Sequence, residues 1–130
     1  MTRPAPTYTQ RTAEYWSSGG DGVLKVATCQ DCGWRTHPPS SVCPRCRGVD
    51  VAFAPVSGRG RVHAWTINRY RWAPGLEPPY IVAQVELEEQ AGLIIMAAVV
   101  DCPLDEIRTD LPVQVAFEPA GEIWAPVFRP

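Results

Sequence analysis

The cysteines are the residues of this 130-residue chain whose spacing most clearly points to chemistry. Four of the five form two Cys-x-x-Cys pairs with ten residues between the pairs: Cys29, Cys32, Cys43 and Cys46. A Cys-x-x-Cys turn directs two thiolates at one point, and two such turns complete a tetrahedral shell around a metal ion. The spacing therefore predicts a four-thiolate metal site.

A closed four-thiolate shell leaves no position for water or substrate, so we expect one structural Zn²⁺ per chain and not a catalytic metal. Gly33 and Gly48 beside the two pairs, with Pro44 inside the second, suit tight and partly left-handed turns. Iron in a rubredoxin-type site has the same ligand set, and two independent redox pairs are a further alternative. Cys102 lies outside the pattern, and a nucleophilic role would need a base supplied by the fold.

The composition indicates an intracellular globular protein. Hydrophobic residues make up 45% of the chain and charged residues 20%. The longest apolar run, residues 93–100, has eight residues, whereas a membrane-spanning helix needs about 20. The first ten residues lack the apolar stretch of a secretory signal. We therefore expect a cytoplasmic protein without a membrane segment, in a compartment where disulfides are disfavoured.

The elements that must position the thiols are short. We predict an N-terminal arm with a short helix near 9–18 (domain 1–22), a zinc ribbon (23–50) with strands near 24–28 and 34–37, and a barrel (51–130). Gly19, Gly20 and Gly22 are expected to end the helix, which Thr7 or Thr9 could cap. The ribbon has too few apolar residues for its own core, so metal binding should be coupled to its folding.

Alternating apolar and polar residues after residue 60 predict five strands, with a short helical link before the fourth. That pattern suits a five-stranded barrel of the OB type. The fold class is therefore mainly β: a short N-terminal helix and a rubredoxin-like zinc ribbon followed by an OB-fold barrel. The apolar run 93–100 predicts a strand buried on both faces. Most of the five strand aromatics are expected to fill the barrel: Trp65, Tyr70, Tyr80, Phe117 and Trp124.

Residues 59–72 combine four arginines with Trp65, Tyr70 and Trp72. Exposed Tyr, Trp and Arg are enriched at interface hot spots. They can also hold a nucleotide-like group, with Arg on a phosphate and a ring on adenine. The candidate contacts with a partner protein or with such a nucleotide-like group are Tyr15, Trp16, Trp34, Arg35, Arg69, Tyr70, Arg71, Trp72 and Tyr80. An ordinary barrel strand with solvated arginines is the alternative.

From about residue 12 to its end, the chain resembles a known family, the acyl-CoA-associated proteins with a zinc ribbon and an OB-fold, long described as a domain of unknown function. The resemblance rests on an ordered set of motifs, none of them specific alone: Tyr15-Trp16, Cys29-Gln30-Asp31-Cys32-Gly33, His37-Pro38-Pro39, Cys43-Pro44-Arg45-Cys46, 56–60, Trp65-Thr66, 78–80, 85–87 and 127–130. Asp110-Leu111-Pro112 departs from the family, whose members often have glycine where the link meets the fourth strand.

The resemblance implies a non-catalytic partner subunit of a thiolase-like enzyme. Such enzymes include acyl-CoA thiolases, acyltransferases and the retro-aldolases of steroid side-chain degradation. The family docks on the enzyme, stabilises it and helps to form its acyl-CoA site, where a CoA thioester could be contacted as the enzyme's substrate. The expected assembly is an enzyme homodimer with two copies of this chain, and a hydratase subunit of the same pathway is a further possible partner.

Three other functions stay open. Residues 1–75 carry ten Lys or Arg against four Asp or Glu, and residues 76–130 carry two against ten. Zinc ribbons and OB barrels also bind nucleic acids, but a pI near 5.6 and the lack of a dense basic stripe argue against that role here. An iron-loaded electron carrier and a hydrolase using Cys102 are the other two. The sequence has no Gly-x-Ser-x-Gly, phosphate-loop or dinucleotide-binding motif.

Overall fold

The computed structural model describes residues 3–130 and is mainly β. One short helix, α1 (Ala13–Ser17), continues into a 3-10 turn (Ser18–Asp21). Eight strands follow: β1 (Leu24–Cys29), β2 (Arg35–Thr36), β3 (Val51–Val56), β4 (Arg59–Asn68), β5 (Tyr80–Leu87), β6 (Ile94–Val99), β7 (Pro112–Ala120) and β8 (Ile123–Arg129).

The N-terminal helix is shorter than its sequence predicts. It begins after Thr12, whose hydroxyl makes no capping bond to α1 and instead accepts the N–H of Thr9. Gly19 and Gly20 lie inside the 3-10 turn, and only Gly22, with φ of 73°, ends it. A Cβ on Gly19 would lie 2.4 Å from Cδ1 of Phe117. Gly19 is therefore needed for close approach to the barrel.

The ribbon contains a three-stranded sheet in the order β2-β1-β3. The sequence pattern places residues 51–56 in the barrel, but β3 pairs with β1 along six residues, from Leu24–Val56 to Cys29–Val51. This pairing supplies hydrogen-bond partners along the second edge of β1, whose first edge meets β2 over only two residues. The barrel strands therefore begin at Arg59.

The remaining five strands close a barrel in the order β4-β5-β6-β8-β7, with β7 returning to β4. Neighbouring strands are antiparallel except β6 and β8, which are parallel. The link between β6 and β7 is made of turns and contains no helix. This is the OB-type barrel that the sequence predicts.

The barrel core is mostly aliphatic, contrary to the expectation for four of the five strand aromatics, since only Phe117 of the five packs against the core cluster. Val62, Val85 and Ile95 are fully buried, as is Phe128. Of the five strand aromatics in question, three are exposed and two half-buried: Trp65, Tyr70 and Trp124, then Tyr80 and Phe117. The interior of a small barrel is narrow and is best filled by compact branched side chains.

Strand β6 is buried on one face only. Ile95 and Val99 point into the barrel, but Met96 between them is 64% exposed. An uninterrupted apolar run therefore does not mean two buried faces here, because no layer of the described chain covers Met96.

The ribbon and the barrel share one core and a polar clamp. Tyr15 and Val26 belong to the same buried cluster as Val85 of the barrel. The Gln90 side chain, at the β5–β6 turn, accepts the N–H of Arg35 at 2.9 Å and donates to the Arg35 carbonyl at 2.8 Å. This two-bond arrangement imitates a strand pair and fixes β2 against the barrel.

Candidate metal centre and interaction surface

The four cysteines of the two pairs converge at one end of the ribbon. Their sulfurs all lie within 4.8 Å of one another. Cys29 Sγ lies 3.6 Å from Cys46 Sγ, and Cys32 Sγ lies 3.6 Å from Cys43 Sγ. Sulfurs in a tetrahedral shell with Zn–S bonds of about 2.3 Å are about 3.8 Å apart. The structure thus brings all four predicted ligands to the spacing of a metal-binding tetrahedron.

Backbone turns hold the sulfurs in place. Cys43 Sγ accepts the N–H groups of Arg45 and Cys46 at 3.4 and 3.5 Å, and Cys46 Sγ accepts that of Gly48 at 3.4 Å. Amide groups aimed at sulfur favour thiolates, which are the form that binds metal.

The two Cys-x-x-Cys turns differ in which residue adopts the left-handed backbone conformation. Gly33 follows the first pair with φ of 79°, as the sequence suggests. After the second pair it is Arg47, with φ of 64°, and not Gly48 that takes this conformation. Gly48 is needed for space, because a Cβ there would lie 2.5 Å from Asp31 Oδ2 and 3.2 Å from Cys46 Sγ.

The donor set fits a cation of the zinc or iron type. Backbone N–H groups of Cys46 and Arg45 lower the pKa of the Cys43 thiol to about 7. The Gly48 N–H also favours the Cys46 thiolate, but the crowding of neighbouring thiols outweighs it and raises the Cys46 pKa to about 12. A bound cation would remove this conflict between adjacent negative charges.

His37 lies outside the cysteine cluster. Its ring centroid is 4.9 Å from that of Tyr15, and its Nδ1 is buried without a hydrogen-bond partner in the described residues. Burial lowers the His37 pKa, which favours the neutral ring. His37 therefore packs between the ribbon loop and the N-terminal helix.

An exposed aromatic pair, Tyr70 and Trp72, stands on the loop between β4 and β5. Their ring centroids are 4.7 Å apart at an interplanar angle of 60°. The Trp72 indole N–H donates to Asn68 Oδ1 at 3.0 Å, and Asn68 Nδ2 donates to the Tyr80 hydroxyl at 2.8 Å. The aromatic pair is 64% and 69% exposed, yet these bonds hold Trp72 in position.

Two arginines flank the aromatic pair. Arg71 forms an ion pair with Glu77 on the same loop. Arg69 is exposed and has no carboxylate within salt-bridge distance among residues 3–130. The loop therefore joins two exposed rings to one free positive charge.

The other candidate contacts are scattered. Tyr15 is buried in the core, and Trp16 is half-buried against it, so both already pack within the chain. The guanidinium carbon of Arg45 lies over the Trp34 ring, 5.1 Å from the centroid of that ring. Arg35 is held through its backbone by Gln90. The structure thus groups only the β4–β5 loop residues with Tyr80.

Sequence reasoning missed Asn68, which organises the aromatic pair. Its Oδ1 lies 3.5 Å from the backbone N–H of Tyr70, two residues further along. An Asn that contacts the backbone two residues ahead is a known turn signal. The position of Asn68 two residues before Tyr70 was the sequence signal that could have identified its role.

Two family models match the chain. The zinc-ribbon domain of ChsH2, described as rubredoxin-like, matches residues 16–52. The C-terminal OB-fold domain of ChsH2 matches residues 54–118. The chain belongs to the ChsH2 (DUF35) family. Its cysteine cluster and closed barrel are the two modules that these descriptions name.

Individual relatives agree with this membership. A DUF35 domain-containing scaffold protein of Methanothermobacter thermautotrophicus is 33% identical over 104 residues, 76% of this chain and 74% of the relative. A probable enoyl-CoA hydratase alpha subunit of Thermomonospora curvata is 31% identical over 129 residues, 98% of this chain. The chain spans only 40% of that second relative's length.

A solved structure described as "Ltp2-ChsH2(DUF35) aldolase" contains a chain of the same fold. It aligns with a TM-score of 0.87 at 29% identity, covering 97% of this chain and 98% of the other. Along residues 3–130, no helix has the length and apolar character needed to cross a bilayer.

Proposed function

We propose that this ChsH2-family chain is a non-catalytic accessory subunit that binds and stabilises a thiolase-like acyl-CoA enzyme and helps to form its acyl-CoA site. The observation that carries the proposal is the likeness, along 97% of the chain, to a chain of the Ltp2-ChsH2(DUF35) aldolase. The scaffold name of the Methanothermobacter relative supports the same role. The enzyme's reaction would be a retro-aldol cleavage or a thiolase or acyltransferase step.

The surroundings of Cys102 argue against a hydrolase that would use this thiol as its nucleophile. Cys102 is the one thiol outside the cysteine cluster. Burial, followed by the charges of Glu106 and Asp105, raises its pKa. Its S–H is placed to donate to the Pro103 carbonyl at 3.5 Å. A thiol kept protonated is a poor nucleophile.

We assign one structural Zn²⁺ per chain to Cys29, Cys32, Cys43 and Cys46. Four sulfurs fill the tetrahedron, so the metal would hold the ribbon and not contact substrate. A ribbon with its metal bound keeps β2 in a fixed position. β2 carries Arg35, whose backbone is bonded to the Gln90 side chain of the barrel. Zinc would thus stabilise the ribbon beside the barrel.

We assign the main contact with the enzyme to the aromatic pair. Exposed Trp and Tyr that are already ordered lose little conformational entropy on binding. Trp72→Ala should weaken the complex by about 2 kcal/mol, or roughly 30-fold. Tyr8→Ala is the matched control, because Tyr8 is also exposed, at 47%, but lies on the N-terminal arm. Equal affinities of the two variants, measured by titration calorimetry, would remove the aromatic pair from the interface.

Co-expression tests the proposed function. This chain alone would carry an affinity tag, and the candidate thiolase-like enzyme would be untagged. Size-exclusion chromatography should yield one complex with about one zinc per copy of this chain. Assays with β-hydroxyacyl-CoA, and with β-ketoacyl-CoA plus free CoA, would separate the aldolase from the thiolase reaction. A monomer that binds oligonucleotides with steep salt dependence would favour the nucleic-acid role instead.

A further inference from the structure

One barrel strand has an unpaired edge. β4 pairs with β5 from Gly60 to Asn68 but pairs with β7 only from Arg59 to Arg61. The last backbone bonds on the β7 side join Val62 to residues 110 and 111. The register with β5 then shifts between Val62 and Ala64, which marks a β-bulge at His63. A bulge bends and twists its strand, so the remainder of β4 separates from the β7 side.

The backbone hydrogen bonds of β4 and β5 fix which backbone groups of β4 face outward. The Glu88 N–H donates to the Arg59 carbonyl at 3.1 Å, so the even-numbered residues of β5 bond to β4. Beyond the bulge, Ala64, Thr66 and Asn68 stand opposite those even-numbered residues. The N–H and C=O groups of Trp65 and Ile67 therefore point away from β5. Within residues 3–130 these groups have no hydrogen-bond partner.

The free edge, residues 63–68, is also accessible from the side. Residues 63–66 are exposed, so both faces of the strand are open there. Ile67 packs on the core and anchors the strand to the barrel. The edge continues directly into the loop that carries the aromatic pair. Such an edge is a template for another extended backbone.

We propose that an extended segment of the partner enzyme pairs with Trp65 and Ile67 and adds a strand to this edge of the barrel. The inference rests on the proposed function and specifies how the enzyme docks. Trp65 and Ile67 each present one N–H and one C=O group outward. The backbone of another strand can bond to these groups, which is the basis of β-strand addition. Arg61 and Arg69 flank the edge without a carboxylate in salt-bridge distance among the described residues. The enzyme segment should therefore carry acidic side chains.

Charge disfavours a second copy of this chain as the occupant. A symmetric antiparallel pair centred on Trp65 would set Arg61 opposite Arg69 of the other copy. Moving the register by two residues would set Arg61 opposite Arg71 instead. Like charges directly opposite each other destabilise strand pairs. The edge is thus better suited to an acidic strand of another protein.

A matched pair of variants at one position tests the backbone contact. Trp65→Thr removes the indole but keeps the N–H and a strand-forming side chain. Trp65→Pro also removes the outward N–H, which makes no bond in the free chain, and edge strands tolerate proline at such positions. Against the enzyme, Trp65→Pro should bind about tenfold more weakly than Trp65→Thr. Equal affinity of the two variants, both with full zinc content, would overturn the proposal.

Residue-resolved amide exchange gives a second readout that needs no variant. In the free chain the amides of Trp65 and Ile67 should exchange faster than those of Ala64 and Thr66. In the complex all four should be protected, with Trp65 and Ile67 slowed at least tenfold. A complex that forms without this protection overturns the docking proposal and leaves the proposed function intact.

The remaining outcomes are equally decisive. Failure of every thiolase-like enzyme to form a complex overturns the proposed function and this inference with it. Protection of Trp65 and Ile67 that appears in the free chain as its concentration rises would identify a second copy as the occupant, and this too overturns the proposal.

Discussion

The metal-binding tip of the ribbon and the barrel are held together in different ways. Between residues 29 and 50 only Cys29 and Cys43 are buried. The barrel instead buries a continuous aliphatic cluster that includes Val62, Val85 and Ile95. The tip therefore depends on its metal, and the barrel depends on the removal of apolar surface from water. Each region should respond to a perturbation that leaves the other intact.

Loss of the metal should have the largest effect. Structural zinc sites supply about 10–16 kcal/mol of binding free energy in small zinc-dependent domains. Cys43→Ser should therefore abolish zinc binding and unfold residues 29–50, while barrel amides stay protected from exchange. Cys102→Ser is the control and should keep both the zinc and the fold. Simultaneous loss of protection in the barrel would show that the two regions are a single cooperative unit.

Breaking the clamp between the two regions should have an intermediate effect. Gln90→Ala leaves the N–H and C=O of Arg35 without their side-chain partner. An unsatisfied pair of this kind costs about 1–3 kcal/mol. Gln30→Ala is the comparison, because the Gln30 side chain is exposed and bonds only to the nearby Thr28 carbonyl. If chemical denaturation gives both variants the same stability, the clamp does not couple ribbon and barrel.

The smallest expected effect concerns the left-handed residues of the two metal-binding turns, Gly33 and Arg47, where substitutions should shift stability in opposite directions. Arg47→Gly should stabilise the loaded ribbon by up to about 1 kcal/mol, because glycine adopts the left-handed backbone without strain. Gly33→Ala should destabilise it by a similar amount, since open space around Gly33 leaves backbone strain as the main cost. Thermal unfolding of the zinc-loaded chains would measure both. Shifts in the same direction would contradict the assignment of the left-handed residues.

The local features of this chain could be predicted from its sequence. The four thiol ligands are set by two short turns, and the barrel strands by alternation of apolar and polar residues. Which sheet a strand joins is a non-local choice, and alternation alone could not place residues 51–56 beside β1. The left-handed residue after the second pair was misplaced because Gly48 is required for space and not for its backbone angle.

The interaction surface was only partly predictable. Residue types pointed to Tyr70 and Trp72, but the expectation that strand aromatics fill the barrel conflicted with that prediction. The free edge at Trp65 and Ile67 arises because β4 continues beyond the bulge, whereas its pairing with β7 ends before the bulge. No composition signal marks such a bulge at His63, so this edge could be found only from the strand pairing.

Titration of the thiolase-like enzyme with this chain tests the accessory-subunit proposal most directly. Enzyme turnover should rise as the zinc-loaded chain is added and level off at one chain per enzyme protomer. The chain alone should show no turnover, and Trp72→Ala should need roughly 30-fold more chain for the same rise. Enzyme activity and stability that stay unchanged at every ratio of the two proteins would contradict the account.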